Sequence, residues 1–408
     1  MSTPALSQLN PDHSLRCLLI HPQFSAFSFW NYTTAANLMG AKSPSPPLGL
    51  ITVAALLPQQ WQFKLMDLNT GPWSQADWEW ADLICVGGML PQQEGILEVI
   101  DRAKTDGKYV VVGGPDPTSQ PKVYEAADAL VLGEGEDAIP RWLQAWRRGR
   151  LQGVFREEEK PDVTQSPLPR FDLLRLQDYV QIGVQYSRGC PFNCEFCDII
   201  ELFGRKPRVK NPEQLLTELS ELKRLGYSGS VDIVDDNFIG NLRQVKRELL
   251  PALIRWNQDN GYPFYYATEA SMNLADDRKL LAQLQEAEFR IVFMVIETPD
   301  ADLLMMTQKS QNTVRSIPDR VNTLYQYGIV VTAGFIMGFD GEKPGMDLRM
   351  ARVIEDTGIN MAMAGLLVAL PGTQLTRRLL KEGRLLSFRG EPITSEQDMF
   401  RSAEAVAA

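Results

Sequence analysis

Three of the chain's five cysteines stand within eight residues, in the run Ser187-Arg188-Gly189-Cys190-Pro191-Phe192-Asn193-Cys194-Glu195-Phe196-Cys197. Thiols spaced Cys-x-x-x-Cys-x-x-Cys are too close to pair with each other and leave a sensible loop, so the spacing points to a metal. Cysteine thiolates are the usual ligands of iron–sulfur clusters. Three of them leave one iron of a four-iron cluster open to a small molecule. A closed structural zinc site would need a fourth protein ligand. The only histidines, His13 and His21, lie far upstream, where Cys17 and Cys85 read as buried strand residues. An odd cysteine count with three clustered fits a reducing compartment better than a disulfide framework.

A chain of 408 residues exceeds one ordinary core. Apolar runs at Cys17 to Ile20, Phe63 to Asp67, Leu83 to Gly88, Val110 to Gly114 and Ala129 to Gly133 alternate with helical patterns. That alternation predicts an α/β fold, a doubly wound parallel sheet over residues 1–152. Prolines and a charge run mark 153–180 as a linker. Six further β/α steps follow over residues 181–375, fewer than a closed barrel requires, so an open partial (βα)6 barrel is expected. Residues 376–408 read as a C-terminal tail.

Ligands of doubly wound sheets sit beyond the carboxyl ends of the strands. The turns there hold Gly87, Gly88, Gly113, Gly114, Gly133, Glu134 and Gly135, backbone that a large ligand can approach closely. No Gly-x-Gly-x-x-Gly opens a helix after the first strand, which disfavours a nicotinamide dinucleotide. In the second series, Asp235, Asp236, Glu269 and Glu297 end barrel strands, on the face where barrel chemistry sits. Gly334 and Gly338 flank Ile336 in another strand end.

The cysteine triad, with Phe196 before its last member, resembles the signature of the radical S-adenosylmethionine superfamily. The sheet domain upstream makes the chain similar to the cobalamin-binding class. Pro46-Pro47-Leu48-Gly49-Leu50, Val234-Asp235-Asp236-Asn237-Phe238 and Ala369-Leu370-Pro371-Gly372-Thr373 resemble the branch that includes the hopanoid C-2 methylase. The resemblance implies a [4Fe–4S] cluster on Cys190, Cys194 and Cys197 whose open iron takes S-adenosylmethionine. One electron then gives a 5′-deoxyadenosyl radical, and cobalamin returns a methyl group to an unactivated carbon. It places Phe196, Asp235, Asp236, Glu269, Glu297, Gly334, Ile336 and Gly338 around S-adenosylmethionine, and the glycine turns with Glu134 around cobalamin. The chain has no Asp-x-His-x-x-Gly motif. Either cobalamin binds without a protein histidine, or the first domain is vestigial.

The expected activity is thus a cobalamin-dependent methyltransferase acting on a small-molecule or isoprenoid-like substrate. The alternatives are a radical rearrangement, cyclisation or epimerisation without cobalamin, and a non-catalytic iron–sulfur redox sensor. An external one-electron donor such as a flavodoxin or ferredoxin is the expected partner. A net charge of −10 argues against a nucleic-acid partner. No apolar run approaches the ~20 residues of a spanning helix, so no transmembrane segment and a cytoplasmic location are expected.

Overall fold

The computed structural model describes residues 10–385 apart from 27, 29 and 30, together with strand residues 387–388 and 391–392. The chain divides into two compact units, Met1–Ile182 and Gly183–Ala408.

The first unit is built on β1 (Arg16–His21), β2 (Gln62–Asp67), β3 (Leu83–Gly87), β4 (Tyr109–Gly113), β5 (Ala129–Leu132) and β6 (Gly153–Arg156). They form one sheet in the order β2-β1-β3-β4-β5-β6, parallel throughout. Both faces are covered, which is why the strands read as continuous apolar runs. Cys17, Leu19, Cys85, Trp142 and Trp146 pack on one face, and Leu18, Ile20, Ile84, Val86 and Val112 on the other. Cys17 and Cys85 are free, buried thiols with their sulfurs 3.6 Å apart. The stretch expected as a linker opens with β6, because Val154 and Phe155 extend the sheet beside β5.

The second unit follows with β7 (Gln181–Val184), β8 (Ser187–Arg188), β9 (Arg208–Val209), β10 (Gly229–Ile233), β11 (Phe264–Ala270), β12 (Phe289–Glu297), β13 (Val330–Met337) and β14 (Met361–Leu366). Six of these form an open sheet in the order β14-β13-β12-β11-β10-β7. β8 and β9 pair separately, antiparallel, and the loop between them carries the three cysteines. Helices follow the strands in turn. The helix Pro212–Arg224 starts on a capping box in which Asn211 and Gln214 bond each other's backbone, with proline in its first turn.

Two helices depart from regularity. The one after β10 is Leu242–Gln244, a π-helical Val245–Leu249, then Leu250–Asn260. Pro251 has no N–H for the carbonyl four residues earlier, and the ladder widens before it. The helix before β13 begins at Ile317, after a Ser316 cap, and residues 307–316 ahead of it hold only the short 3-10 turn Ser310–Asn312.

Along β12, Val292, Met294 and Ile296 are fully buried while Ile291, Phe293 and Val295 are half-buried. The buried set packs under helices such as Arg278–Glu286, so the half-buried set lines the concave face. Among the described residues, no helix is long and apolar enough to cross a membrane. Lys210 is buried against Glu218.

Candidate active site

The cysteine loop is held from several sides within the second unit. Gly189 turns into it at φ +91°, and a Cβ there would stand 2.8 Å from the Gly204 carbonyl oxygen, so only glycine fits. Asp235 braces the strand leading in. Its Oδ1 accepts from the Tyr186 backbone N–H at 2.8 Å and its Oδ2 from the Ser187 hydroxyl at 2.6 Å. Asp236 accepts from the Gly189 N–H at 2.8 Å. Asn237 donates to Ser271 Oγ at 3.2 Å and points its amide at the Cys190 sulfur, 3.9 Å away. The helix Gln374–Lys381 supplies Arg378, whose guanidinium reaches Glu195 Oε1 at 2.8 Å and Oε2 at 3.2 Å.

The irregular segment after the helix Ala301–Met306 closes the remaining side. The Glu195 N–H donates to the Thr307 carbonyl at 3.3 Å, and Asn193 donates to Gln308 at 2.6 Å. The Gln311 side chain counteracts part of the rise that burial imposes on the Cys194 thiol. Phe196 stacks edge-on against Phe339, 5.8 Å between centroids, and packs beside Ile336 and Leu303.

Cys194 is buried, and Cys190 and Cys197 are half-buried. Burial raises all three thiol pKa values; Cys190 adds to the rise at Cys194 and both add to it at Cys197, while Lys309 opposes the rise at Cys190 and Cys194. Among the described residues, no three His, Cys, Asp or Glu side chains converge on a single metal ion. A four-iron cluster does not require that, since each thiolate binds a different iron. Beside the loop, Gln311 Oε1 and Asn312 Oδ1 are buried without a hydrogen-bond partner among the described residues. Buried polar groups left unmatched in this way mark a place shaped for something further. The donor set fits a cluster.

Carboxylates gather on the β10–β11 side of the concave face. Burial pushes Asp235 up to about 6 and Asp236 up to about 7. Burial, then the charges of Asp232 and Asp236, push Glu269 up to about 8. The Glu269 carboxyl has no hydrogen-bond partner among the described residues, although its backbone carbonyl accepts from the Phe238 N–H, whereas both Asp235 oxygens are spent on the chain itself. Asp232, pushed by burial to about 6, belongs with this group and was missed in the sequence. Strand alternation signals it, because Val231 and Ile233 point the other way.

Glu297 ends β12 in a left-handed conformation, φ +67°, where the register with β13 shifts, and pairs with buried Lys309. Gly334 meets the Phe293 ring, where a Cβ would come within 3.0 Å, and Gly338 turns at φ +93°. Lys309, Gln311 and Asn312 were also missed, and no spacing in the irregular stretch signals them.

In the first unit, the glycine turns lie at the carboxyl edge of β3, β4 and β5, but their close approaches are to the chain itself. A Cβ on Gly87 would be 2.6 Å from the Gly113 oxygen, and one on Gly113 would be 2.8 Å from the Val131 oxygen. Gly114, at φ +104°, lies 3.0 Å from the Gly88 backbone by the same measure. A Cβ on Gly133 would strike Glu157, and Gly135 abuts Leu56, while Glu134 precedes the helix Gly135–Arg147. The result is a side-chain-free backbone edge. His21 closes β1 but is not offered to it. Its Nδ1 lies 3.1 Å from Asp67 Oδ1, and the Tyr179 hydroxyl donates to the other Asp67 oxygen at 2.9 Å.

Residues 184–353 match the model of the radical SAM superfamily, and residues 36–143 match the B12-binding domain. The hopanoid C-2 methylase of Rhodopseudomonas palustris is 38% identical over 378 residues, 91% of this chain and 71% of that protein. The chain belongs to the cobalamin-binding radical S-adenosylmethionine family. An uncharacterised methyltransferase of Synechocystis is 50% identical over 374 residues, 91% of this chain and 69% of the relative. The radical S-adenosylmethionine methyltransferase TsrM of Kitasatospora setae, solved with cobalamin and a [4Fe–4S] cluster, shares the fold at 15% identity. The superposition has a TM-score of 0.74 and covers 92% of this chain and 80% of that one. This member of the family is therefore an enzyme, a methyltransferase whose cofactors are a [4Fe–4S] cluster, S-adenosylmethionine and cobalamin. Radical S-adenosylmethionine enzymes use small-molecule substrates and external electron donors.

Proposed function

We propose that this family member methylates an unactivated carbon of a largely apolar, isoprenoid-like or polycyclic substrate. The observation that carries the substrate class is the division of the barrel's concave face. Asp232 and Glu269 stand on β10 and β11, and Ile291, Phe293 and Val295 form an apolar wall on β12. Burying a saturated carbon frame against such a wall contributes about 0.8 kcal/mol per CH₂. The likeness to the hopanoid C-2 methylase supports the same class.

Within that reading, Cys190, Cys194 and Cys197 hold the cluster, and the buried Asp235 and Asn237, with the half-buried Gln311 and Arg378, keep their loop in place. Asp236 and Glu269 receive the cationic part of S-adenosylmethionine, and Gly334 and Gly338 admit its flat base. The glycine edge of the first unit holds the corrin by backbone, without a histidine on cobalt. When bound, the three cofactors together supply an organic radical and a transferable methyl group. The chain's own task is to orient these groups and exclude water.

Full-length protein, reconstituted anaerobically with iron, sulfide and cobalamin, should turn over S-adenosylmethionine carrying a deuterated methyl group. Lipid extract supplied as substrate should yield an isoprenoid product that bears the label. Labelled product confined to polar metabolites would overturn the substrate class. Protein that binds no corrinoid at saturating supply would overturn the assignment of the glycine edge.

A further inference from the structure

Lys309 and Glu297 form an ion pair closed to solvent, with side-chain exposures of 5% and 2%. The pair adjoins the cysteine loop. Lys309 Nζ lies 5.9 Å from the centroid of Phe196, the residue before Cys197. Glu297 is one of four non-glycine residues with positive φ among those described. Such a conformation is strained and persists only where its surroundings enforce it. They do so here. Asn312 donates to the carbonyls of Val295 and Ile296 at 3.0 and 3.2 Å, fixing the turn that presents Glu297. The fully buried Arg320 in turn donates to the carbonyls of Gln311 and Asn312 at 3.3 and 3.2 Å, and pairs with Asp276 at 2.6 Å.

A buried pair rarely adds net stability over apolar residues of the same volume. A strained one beside a metal loop is better explained by what its charges do there. Lys309 is the member of the pair that the geometry sets against the loop, with its Nζ over the ring of Phe196, next to Cys197.

We propose that the Lys309–Glu297 pair sets the reduction potential of the cluster, the lysine raising it and the glutamate lowering it. Both are positioning residues, and the inference rests on the cluster assignment above. Reduction moves one electron from an external donor onto the cluster, so the site gains one negative charge. A fixed cation nearby favours the reduced state and a fixed anion disfavours it. Local charge, hydrogen bonding and burial are the levers by which a protein tunes such a cluster.

The test is a potentiometric titration with dithionite of the anaerobically reconstituted full chain, following the reduced cluster by electron paramagnetic resonance. At the wild-type midpoint, Lys309→Met should lower the reduced-to-oxidised ratio about tenfold, ~59 mV for one electron. Glu297→Gln should raise that ratio by a comparable factor, Lys309→Arg should hold it near wild type, and the double variant should fall between. Shifts of the same sign, or an unmoved midpoint in Glu297→Gln at full iron content, would overturn the inference. If Lys309→Met takes up no iron, the sign of the Glu297→Gln shift decides alone. Wild-type protein that binds no reducible four-iron cluster would overturn the cluster assignment instead.

Discussion

Ser187 Oγ donates to Asp235 Oδ2 at 2.6 Å, joining the last residues before the cysteine loop to the end of a neighbouring strand. With the Tyr186 N–H on the other oxygen, Asp235 is fully engaged. Hydrogen bonds to a charged group contribute about 1.5–3 kcal/mol each. Asp235→Ala should lower unfolding stability by roughly 3 kcal/mol and reduce iron uptake on reconstitution. Asp236→Asn, which keeps the shape and removes the charge, should leave the urea midpoint nearly unchanged and weaken S-adenosylmethionine binding. Equal loss of stability in both variants would contradict this division of roles.

Glu269 predicts a pH dependence with a definite sign. Its folded pKa is about 8 against an ordinary 4.5, raised by burial and then by Asp232 and Asp236. Between those values the folded chain keeps a proton that the unfolded chain has lost. Stability therefore falls as pH rises through that window and levels off above it. Each unit is ~1.4 kcal/mol, so the loss is on the order of a few kcal/mol. Urea midpoints of the cofactor-free chain at pH 5 and pH 9 should differ more in wild type than in Glu269→Gln. A larger difference in the variant would refute the argument.

The cysteines separate by role. Cys194→Ala should abolish both the iron–sulfur absorbance and the reductive formation of 5′-deoxyadenosine. Cys17→Ala empties a sulfur-sized space beside Cys85 in a fully buried strand, and should cost about 1–2 kcal/mol through the cavity it leaves. Its iron content should stay at the wild-type level. Loss of iron in Cys17→Ala would place that thiol in the metal site and refute the separation.

What the sequence disclosed, and what it hid, follows from the range of the interactions. Both sheets were legible because strand runs such as Leu83 to Gly87 and helix caps such as Asn211 are set by near neighbours. The cysteine loop was legible because its three thiols are close together in sequence. Lys309, Gln311 and Asn312 were not, since they act on Glu297 and Cys194 across the fold from a stretch without periodicity. Asp235 read as a ligand because it sits at a strand end, and only the structure shows its oxygens turned back on Tyr186 and Ser187. β6 was read as linker because Gly153 and the charges after Arg156 obscure a four-residue edge strand.

Gly114 tests the backbone edge. At φ +104° a side chain is strained, and its Cβ would press on Gly88 N and O at 3.0 Å. Gly114→Ala should cost on the order of 1–3 kcal/mol and displace the two turns from one another. Corrinoid affinity should fall by at least tenfold, read by equilibrium dialysis, while iron content in the second unit stays unchanged. Full corrinoid affinity in a destabilised variant would detach that edge from the cofactor.

His21 gives the sharpest statement about cobalt. It is the only histidine near the carboxyl edge among the described residues, and it is 7% exposed. Its Nδ1 faces Asp67 Oδ1 at 3.1 Å and the Asn69 amide at 3.2 Å, and its ring meets Phe24 edge-on at 5.5 Å between centroids. Burial would raise Asp67, yet hydrogen bonds from His21 and Asn69 hold its carboxyl below the ordinary value. A histidine anchored in this way serves the sheet. Removing it breaks a buried network that also holds the Tyr179 hydroxyl, at a cost of about 1–3 kcal/mol. His21→Ala should therefore lower the urea midpoint and leave corrinoid binding in place. The paramagnetic resonance of bound cobalamin in its Co(II) state decides the matter. Wild type and His21→Ala should give the same spectrum, without nitrogen splitting from a protein ligand. Nitrogen splitting present in wild type and lost in the variant would make His21 a cobalt ligand and overturn the assignment of a histidine-free corrin site.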